Sequence, residues 1–326
     1  MWALLDILRI SGITIFSCIS SPKKFPQRSW PSEFTFRLAK RLLQESVSKP
    51  IPWLRARQKI LKLYSTDLLK VSLRKERIGG VNCLVILPKR MKQPDTVILY
   101  FHGGGYVVGS ADGYSVTLAK LALASEAKVV AVEYRRAPDY PLPAAQEDCL
   151  AVTKAIIEVD KDKKLVLIGD SAGGGLCIAT LNALRKANLD TVIAASVLIS
   201  PWLTPIDSNT LERNHEVSDI LDAAVLNHWV NSFDTGIDEH RALVDFSDID
   251  VSKLPPIYIQ AAGVEVFSKQ IQCFIEKLKK ANAHYRYDVF DEQFHVFQTF
   301  APLVREADEA LERVGAYVKH LASRGH

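Results

Sequence analysis

A single serine stands in the stretch LVLIGDSAGGGL, residues 165–176, where apolar residues run into a glycine and an aspartate and small residues follow. Gly169, Ser171 and Gly173 form a G-x-S-x-G pattern between a strand-like run and the small-residue start of a helix. A nucleophilic hydroxyl on a sharp strand-to-helix turn needs small neighbours two residues to either side, because larger side chains would clash in the strained backbone. Ser171 is therefore the candidate nucleophile. The competing reading is a small-residue turn that packs a helix on a sheet.

FHGGGYVVG, residues 101–109, follows the apolar run TVILYF. Consecutive glycines let backbone N–H groups approach a ligand with no side chain in the way, which suits an oxyanion at a tetrahedral centre. A dinucleotide loop is the rival: Gly103, Gly105 and Gly109 read GxGxxxG after a strand, and Glu133 ends the next one. The helical pattern starts only near Gly113, too late to aim its N-terminus at a pyrophosphate. The oxyanion reading is preferred over the dinucleotide loop and over a plain turn because it alone also explains Ser171.

A serine nucleophile needs a base, and histidine is the usual one. Of the eight histidines, His102 belongs to the glycine loop, and His320 and His326 are terminal. His215, His228 and His240 fall in or beside an irregular segment, and His284 precedes the run YRYDVF. His295, in DVFDEQFHVF, lies just after the last strand-like run, where the base of a Ser…acid…His order belongs.

The elements that must carry these residues are legible as alternation. VSLRKERIGGVNCLVILP reads as two strands joined at Gly79-Gly80. TVILYF, KVVAVEY, KLVLIGD, VIAASVLIS, PPIYIQAAG and YRYDVF then alternate with helical patterns near 113–126, 141–158, 172–187, 267–282 and 302–322. Nearly continuous apolar strands separated by helices predict an α/β fold with a mostly parallel sheet covered on both faces. Such a sheet places its site in the loops at the strands' carboxyl ends. Two segments break the rhythm: residues 1–65 are helical and precede the sheet, and residues 203–235 are an insertion with one helical pattern, LDAAVLNHWVNSF. Both could fold over the carboxyl edge as a lid.

Composition narrows the class. The 326 residues are 48% apolar and 24% charged, as in a soluble globular protein large enough for one elaborated α/β domain. Cysteines 18, 83, 149, 177 and 273 are scattered, with no CxxC and no Cys/His cluster, so neither a disulfide framework nor a metal site is expected. With no N-x-S/T sequon either, the expected compartment is cytoplasmic, with the periphery of the endoplasmic reticulum membrane as the alternative. Residues 21–80 hold fifteen Lys/Arg against four Asp/Glu, although the whole chain is only +4. No recognition motif accompanies that charge, so no nucleic-acid partner is expected. The basic stretch FRLAKRLLQ and the apolar start MWALLDILRISGITIFSCIS could touch an anionic membrane, but the preferred reading is a helix packed on the protein's own surface.

FHGGGY, EYRRAP, GDSAGG, SPW and LPPIYIQAAG, in that order, resemble the hormone-sensitive-lipase-like family of α/β-hydrolases over residues 80–300. That family includes carboxylesterases, steryl-acetate hydrolases and arylacetamide deacetylases. The resemblance implies the α/β-hydrolase fold with a helical cap: N-terminal cap helices over 1–65, a catalytic core of 66–202 and 236–326, and a cap insertion at 203–235. It implies Ser171 as nucleophile, His295 as base, and an oxyanion hole from the N–H groups of Gly104, Gly105 and Ala172, with Gly103 a further candidate. Tyr106, Trp202 and Trp229 are candidate pocket walls or, equally, core aromatics. Two departures stand out: the family's acid is usually Asp where this chain has Glu265, and the base is usually followed by glycine where this chain has Val296.

Three carboxylates could serve His295. Asp288 sits inside an alternating strand and Asp291 only four residues from the base, whereas Glu265 follows PPIYIQAAG at the sheet's carboxyl edge and is preferred. The function expected from the whole is a serine carboxylesterase acting through an acyl-enzyme on small esters, acetyl to hexanoyl, of a small or hydrophobic alcohol. No cofactor is needed, and a homodimer is compatible with the sequence. The alternatives are a non-hydrolytic small-molecule binding protein on the same fold and, less favoured, a nicotinamide-dependent dehydrogenase.

Overall fold

The computed structural model describes residues 2–60, 65, 67–91, 94–189, 192–205, 207, 209 and 211–323. Residues 61–64 and 66, where the sequence divides the N-terminal helices from the sheet, lie outside the described residues, as do 206, 208 and 210 of the insertion and His326. Helices α1 (Trp2–Ser20), α2 (Trp30–Ser46), α3 (Ile51–Ile60) and the single turn α4 (Asp67–Lys70) precede the sheet. Ser29 caps α2, its hydroxyl accepting the Ser32 N–H, and Pro31 occupies the first turn, where no intrahelical donor is lost.

The hairpin β1 (Val71–Ile78) and β2 (Val81–Pro88) turns at Gly79-Gly80, both at positive φ, with Ile78 paired to Val81. Alternation follows: β3 (Thr96–Phe101), α5 (Ser115–Ser125), β4 (Lys128–Val132), α6 (Ala144–Val159), β5 (Lys164–Asp170), α7 (Ala172–Lys186) and β6 (Ile193–Ile199). After the insertion, with α8 (Ala223–Phe233), come α9 (Asp238–Arg241), β7 (Ile257–Ala262), α10 (Ser268–Lys280), β8 (Tyr285–Phe290) and α11 (Arg305–Ser323). The sheet order is β1-β2-β4-β3-β5-β6-β7-β8. β1–β2 and β2–β4 are antiparallel and every other pair is parallel.

Every residue of β3 and β7 is buried because helices cover both faces of the sheet, as the unbroken apolar runs require. On one face Leu118 and Ala122 of α5 and Val314 of α11 pack over Ile98 and Val166. On the other, Val152 of α6, Leu181 of α7 and Ile271 of α10 pack over Leu99, Leu167 and Ile259. Leu167 is fully buried, and truncating such a leucine to alanine costs about 2–5 kcal/mol.

Strand order decides where the site lies. β3 sits between β4 and β5, so the chain leaves β3 in one direction and leaves β5, its neighbour, in the other. Loops diverging from adjacent carboxyl ends open a crevice, and here those loops begin at the paired residues Phe101 and Gly169. The glycine loop and the serine turn thus meet at this switch point.

The N-terminal helices and the insertion touch each other. Lys40 Nζ donates to the carbonyls of Glu216 and Asp219, Lys24 Nζ to Ser218 Oγ at 2.8 Å, and Gln44 to Asp222 at 3.2 Å. Within the insertion Asp222 caps α8 through the Val225 N–H, and Val225, Leu226, Trp229 and Phe233 form its buried face.

Candidate active site

Ser171 follows β5 directly and has φ 54° and ψ −121°, a conformation that L-residues rarely adopt. A Cβ on Gly169 would run into the carbonyl of Gly173, and one on Gly173 into the carbonyl of Phe101. The flanking glycines are therefore a steric requirement of the turn. Neighbours hold the strained residue: its N–H donates to Ile199 O at 2.9 Å, and its carbonyl accepts the Trp202 N–H at 2.9 Å.

The next three parallel strands bring their carboxyl-end loops alongside. Glu265 follows β7 and His295 follows β8, and both side chains are buried with Ser171. His295 Nδ1 lies 2.8 Å from Glu265 Oε2, and Nε2 lies 2.9 Å from Ser171 Oγ. With Nδ1–H donating to the carboxylate, Nε2 is left as the acceptor for the serine hydroxyl. Glu265 Oε1 is engaged as well, by the Ala262 N–H at 2.7 Å and Ser200 Oγ at 3.1 Å, so the carboxylate cannot rotate away. The Phe267 ring meets the imidazole edge-on at 4.8 Å. Asp288 is committed to Tyr258 and Arg286, and Asp291 is exposed, so neither faces the imidazole. Val296 is at φ 49°, a left-handed conformation costly for a β-branched residue and one that explains why glycine suits this position.

The glycine loop is tied to the serine turn by Asp170. This fully buried carboxylate accepts the Tyr100 and Tyr114 hydroxyls and, at 2.9 Å, the Gly103 N–H. Burial raises its pKa above the usual carboxylate value. The bond corrects one expectation: Gly103 N–H is consumed by Asp170 and is no oxyanion donor. The N–H groups of Gly104, Gly105 and Ala172 have no acceptor among the described residues. Ala172 begins α7, so its N–H carries the positive end of a helix dipole. The Trp229 ring lies so close to Gly105 that any side chain there would strike it.

His102, buried and stacked on Tyr134 at 4.3 Å, has its pKa lowered to about 3 by desolvation and stays neutral. The dinucleotide reading fails on placement. α5 starts only at Ser115, and Glu133 is engaged by the Ala111 N–H and Arg136.

Sequence reasoning missed Asp219. It lies in the insertion, is fully buried, and accepts three main-chain N–H groups: Ile220 at 2.7 Å, Val266 at 2.8 Å and His295 at 2.8 Å. One carboxylate thus clamps the loop after Glu265 to His295. Desolvation, with the charge of Glu265 adding to it, raises its pKa to about 6. The insertion is further tied to the acid loop by Glu212 N–H to Val266 O and by His215 Nδ1 at 3.0 Å from Glu265 O. No sequence motif signals these contacts, which join residues 47 and 76 positions apart.

The pocket-wall candidates divide. Tyr106 and Trp202 are 2% and 1% exposed and pack with Phe233. Trp229 lies against the glycine loop. An apolar cleft of about 440 Å³ opens between α2, through Phe34, Leu38 and Leu42, and the segments Gly109–Thr117 and Thr299–Leu303. It borders the end of the glycine loop and the stretch after the base, and neither Ser171 nor His295 is part of its lining.

With this geometry established, comparison with known proteins places the chain. A family model described as the alpha/beta hydrolase fold matches residues 98–299. An acetyl-hydrolase of Streptomyces hygroscopicus is 32% identical over 75% of this chain and 82% of its own length. Esterase LipI of Mycobacterium tuberculosis is 30% identical over 67% of this chain and 70% of its own. A hormone-sensitive lipase from a metagenome library superposes with a TM-score of 0.79 at 26% identity, covering 91% of this chain and 99% of that one. Strand order, serine turn, glycine loop and relatives agree: the chain belongs to the α/β-hydrolase fold family, in its hormone-sensitive-lipase-like branch of carboxylic ester hydrolases.

Proposed function

We propose that the protein is a serine carboxylesterase that hydrolyses short-chain acyl esters, acetyl to hexanoyl, of a small or hydrophobic alcohol through an acyl-enzyme. The observation that carries this reading is the unbroken line of bonds from Glu265 through His295 to Ser171 Oγ beside unpaired amides. Ser171 Oγ attacks the ester carbonyl as His295 Nε2 takes its proton. Glu265 stabilises the imidazolium, and the N–H groups of Gly104, Gly105 and Ala172 receive the oxyanion. His295 then protonates the leaving alcohol, and the same base activates water to release the acid. The cleft bordered by α2 receives the apolar part of the substrate; its volume is within the range of small-molecule sites. Residues 1–65 and 203–235 act as the cap. The acetyl-hydrolase relative supports the short-chain assignment.

An acyl series of p-nitrophenyl esters tests the specificity. kcat/KM should peak at or below hexanoate, each well-packed methylene contributing about 1–3 kcal/mol of discrimination. A maximum at dodecanoate or longer would overturn the short-chain reading. Labelling by a diethyl organophosphate tests the mechanism: the adduct should sit on Ser171 and form far more slowly in His295→Ala.

A further inference from the structure

Helix α1 is packed on one side only. Ile7, Ile10 and Thr14 are buried against α2 and α3, whereas Leu4, Leu5, Leu8, Ile15, Phe16 and Ile19 are between 48% and 81% exposed. At 3.6 residues per turn these six fall within one sector of about 120° running the length of the helix, roughly 28 Å. No charged residue lies in that sector. Arg9, at its margin, is neutralised by Asp6 at 3.0 Å and Glu45 at 2.7 Å. A helix on a water-facing surface turns its polar side outward, and α1 does the reverse.

We propose that the outer face of α1 docks on an anionic lipid surface, with the helix lying in the interface plane and its apolar stripe among the acyl chains. No described helix is long and apolar enough to cross a membrane, so the geometry is one of lying on the bilayer. Charge selects the occupant. α1 and α2 run antiparallel, tied by Arg9 to Glu45 near one end and Arg37 to the Ser17 carbonyl near the other. Lys23 sits 5.4 Å over the half-exposed Trp30 ring just beyond the C-terminal end of α1, and Lys49 sits 5.6 Å over Trp53 beyond the C-terminal end of α2. Among the described residues, neither Lys23 nor Lys49 has a carboxylate partner. A second copy of the chain would set two such basic surfaces against each other, whereas anionic headgroups attract them. None of the residues lining the cleft comes from α1, so docking there leaves the cleft open. The proposal is independent of the assignment of the site.

Co-sedimentation of the full chain with vesicles is the test. The protein should pellet with phosphatidylcholine–phosphatidylglycerol vesicles, less with phosphatidylcholine alone, and salt should weaken the difference, since exposed charges are screened within about 10 Å at 0.1 M. The pair Leu8→Gln/Phe16→Gln should lower partitioning at least about tenfold while hydrolysis of soluble p-nitrophenyl acetate is unchanged. Ile19→Gln alone, at the helix end, should lower it in the same direction and guards against misfolding of the pair. Lys23→Gln/Lys49→Gln should abolish the preference for anionic lipid. Undiminished binding of the apolar variants, or failure of the wild type to pellet, would overturn the proposal. So would sedimentation velocity showing a lipid-free dimer that Leu8→Gln/Phe16→Gln converts to monomer, which would make the face an interface between copies.

Discussion

Asp219 Oδ1 accepts the main-chain N–H of His295 at 2.8 Å, so a residue of the insertion holds the proposed base by its backbone. Its other oxygen holds Val266, next to the acid. An amide at this position keeps one acceptor oxygen and turns an NH2 toward the Val266 N–H. Asp219→Asn should therefore lower kcat by about 10–100-fold, the scale of a small misplacement in a catalytic array, with KM little changed. The same variant has a stability signature. Because folding raises the Asp219 pKa to about 6, its contribution is fully present below the unfolded carboxylate value and is lost as pH rises through about 6. Denaturation at about pH 4 and about pH 7 should show the wild type losing stability relative to Asp219→Asn on going up. A pH-independent difference would contradict the raised value.

Glu265 accepts from Ala262, Ser200 and His295 at once, whereas Asp291 is exposed. Glu265→Gln should cost about 10⁴ in kcat through the wrong imidazole tautomer, and Glu265→Asp should keep partial activity. Asp291→Asn should stay within about tenfold of wild type. Steady-state kinetics of the three variants would expose an exchanged role.

Asp170 is the tie between the serine turn and the glycine loop: its Oδ1 accepts from Tyr100 and Gly103 and its Oδ2 from Tyr114. Asp170→Ala strands two tyrosine hydroxyls and the Gly103 N–H and should cost at least about 2 kcal/mol of stability. Asp170→Asn preserves the acceptor for Tyr100 and Gly103 and should remain within about tenfold in kcat/KM. Urea melts and kinetics of the pair separate scaffold from charge.

The sheet was legible because its strands are unbroken apolar runs buried on both faces, a pattern that survives without any knowledge of the loops. Ser171 and His295 stand out as candidates because a strained turn demands glycines around the first and the order of strands places the second. Asp219 could not: its importance lies in main-chain donors of residues 266 and 295, and main-chain contacts leave no side-chain pattern to read. The same holds for Gly103, whose N–H is taken by the side chain of Asp170. Tyr106, Trp202 and Trp229 stay open between core and pocket wall because aromatics line both, and all three are buried. The apolar stripe of α1 was visible as composition, but which of its residues face outward depends on how α2 and α3 pack against it.

The most direct measurement is the turnover of p-nitrophenyl butyrate by Ser171→Ala, with circular dichroism to show an intact fold. kcat should fall by about a million-fold, the scale on which removal of such a nucleophile acts. Retention of more than a few per cent of wild-type turnover, an order far above that residual scale, would contradict Ser171 as the nucleophile.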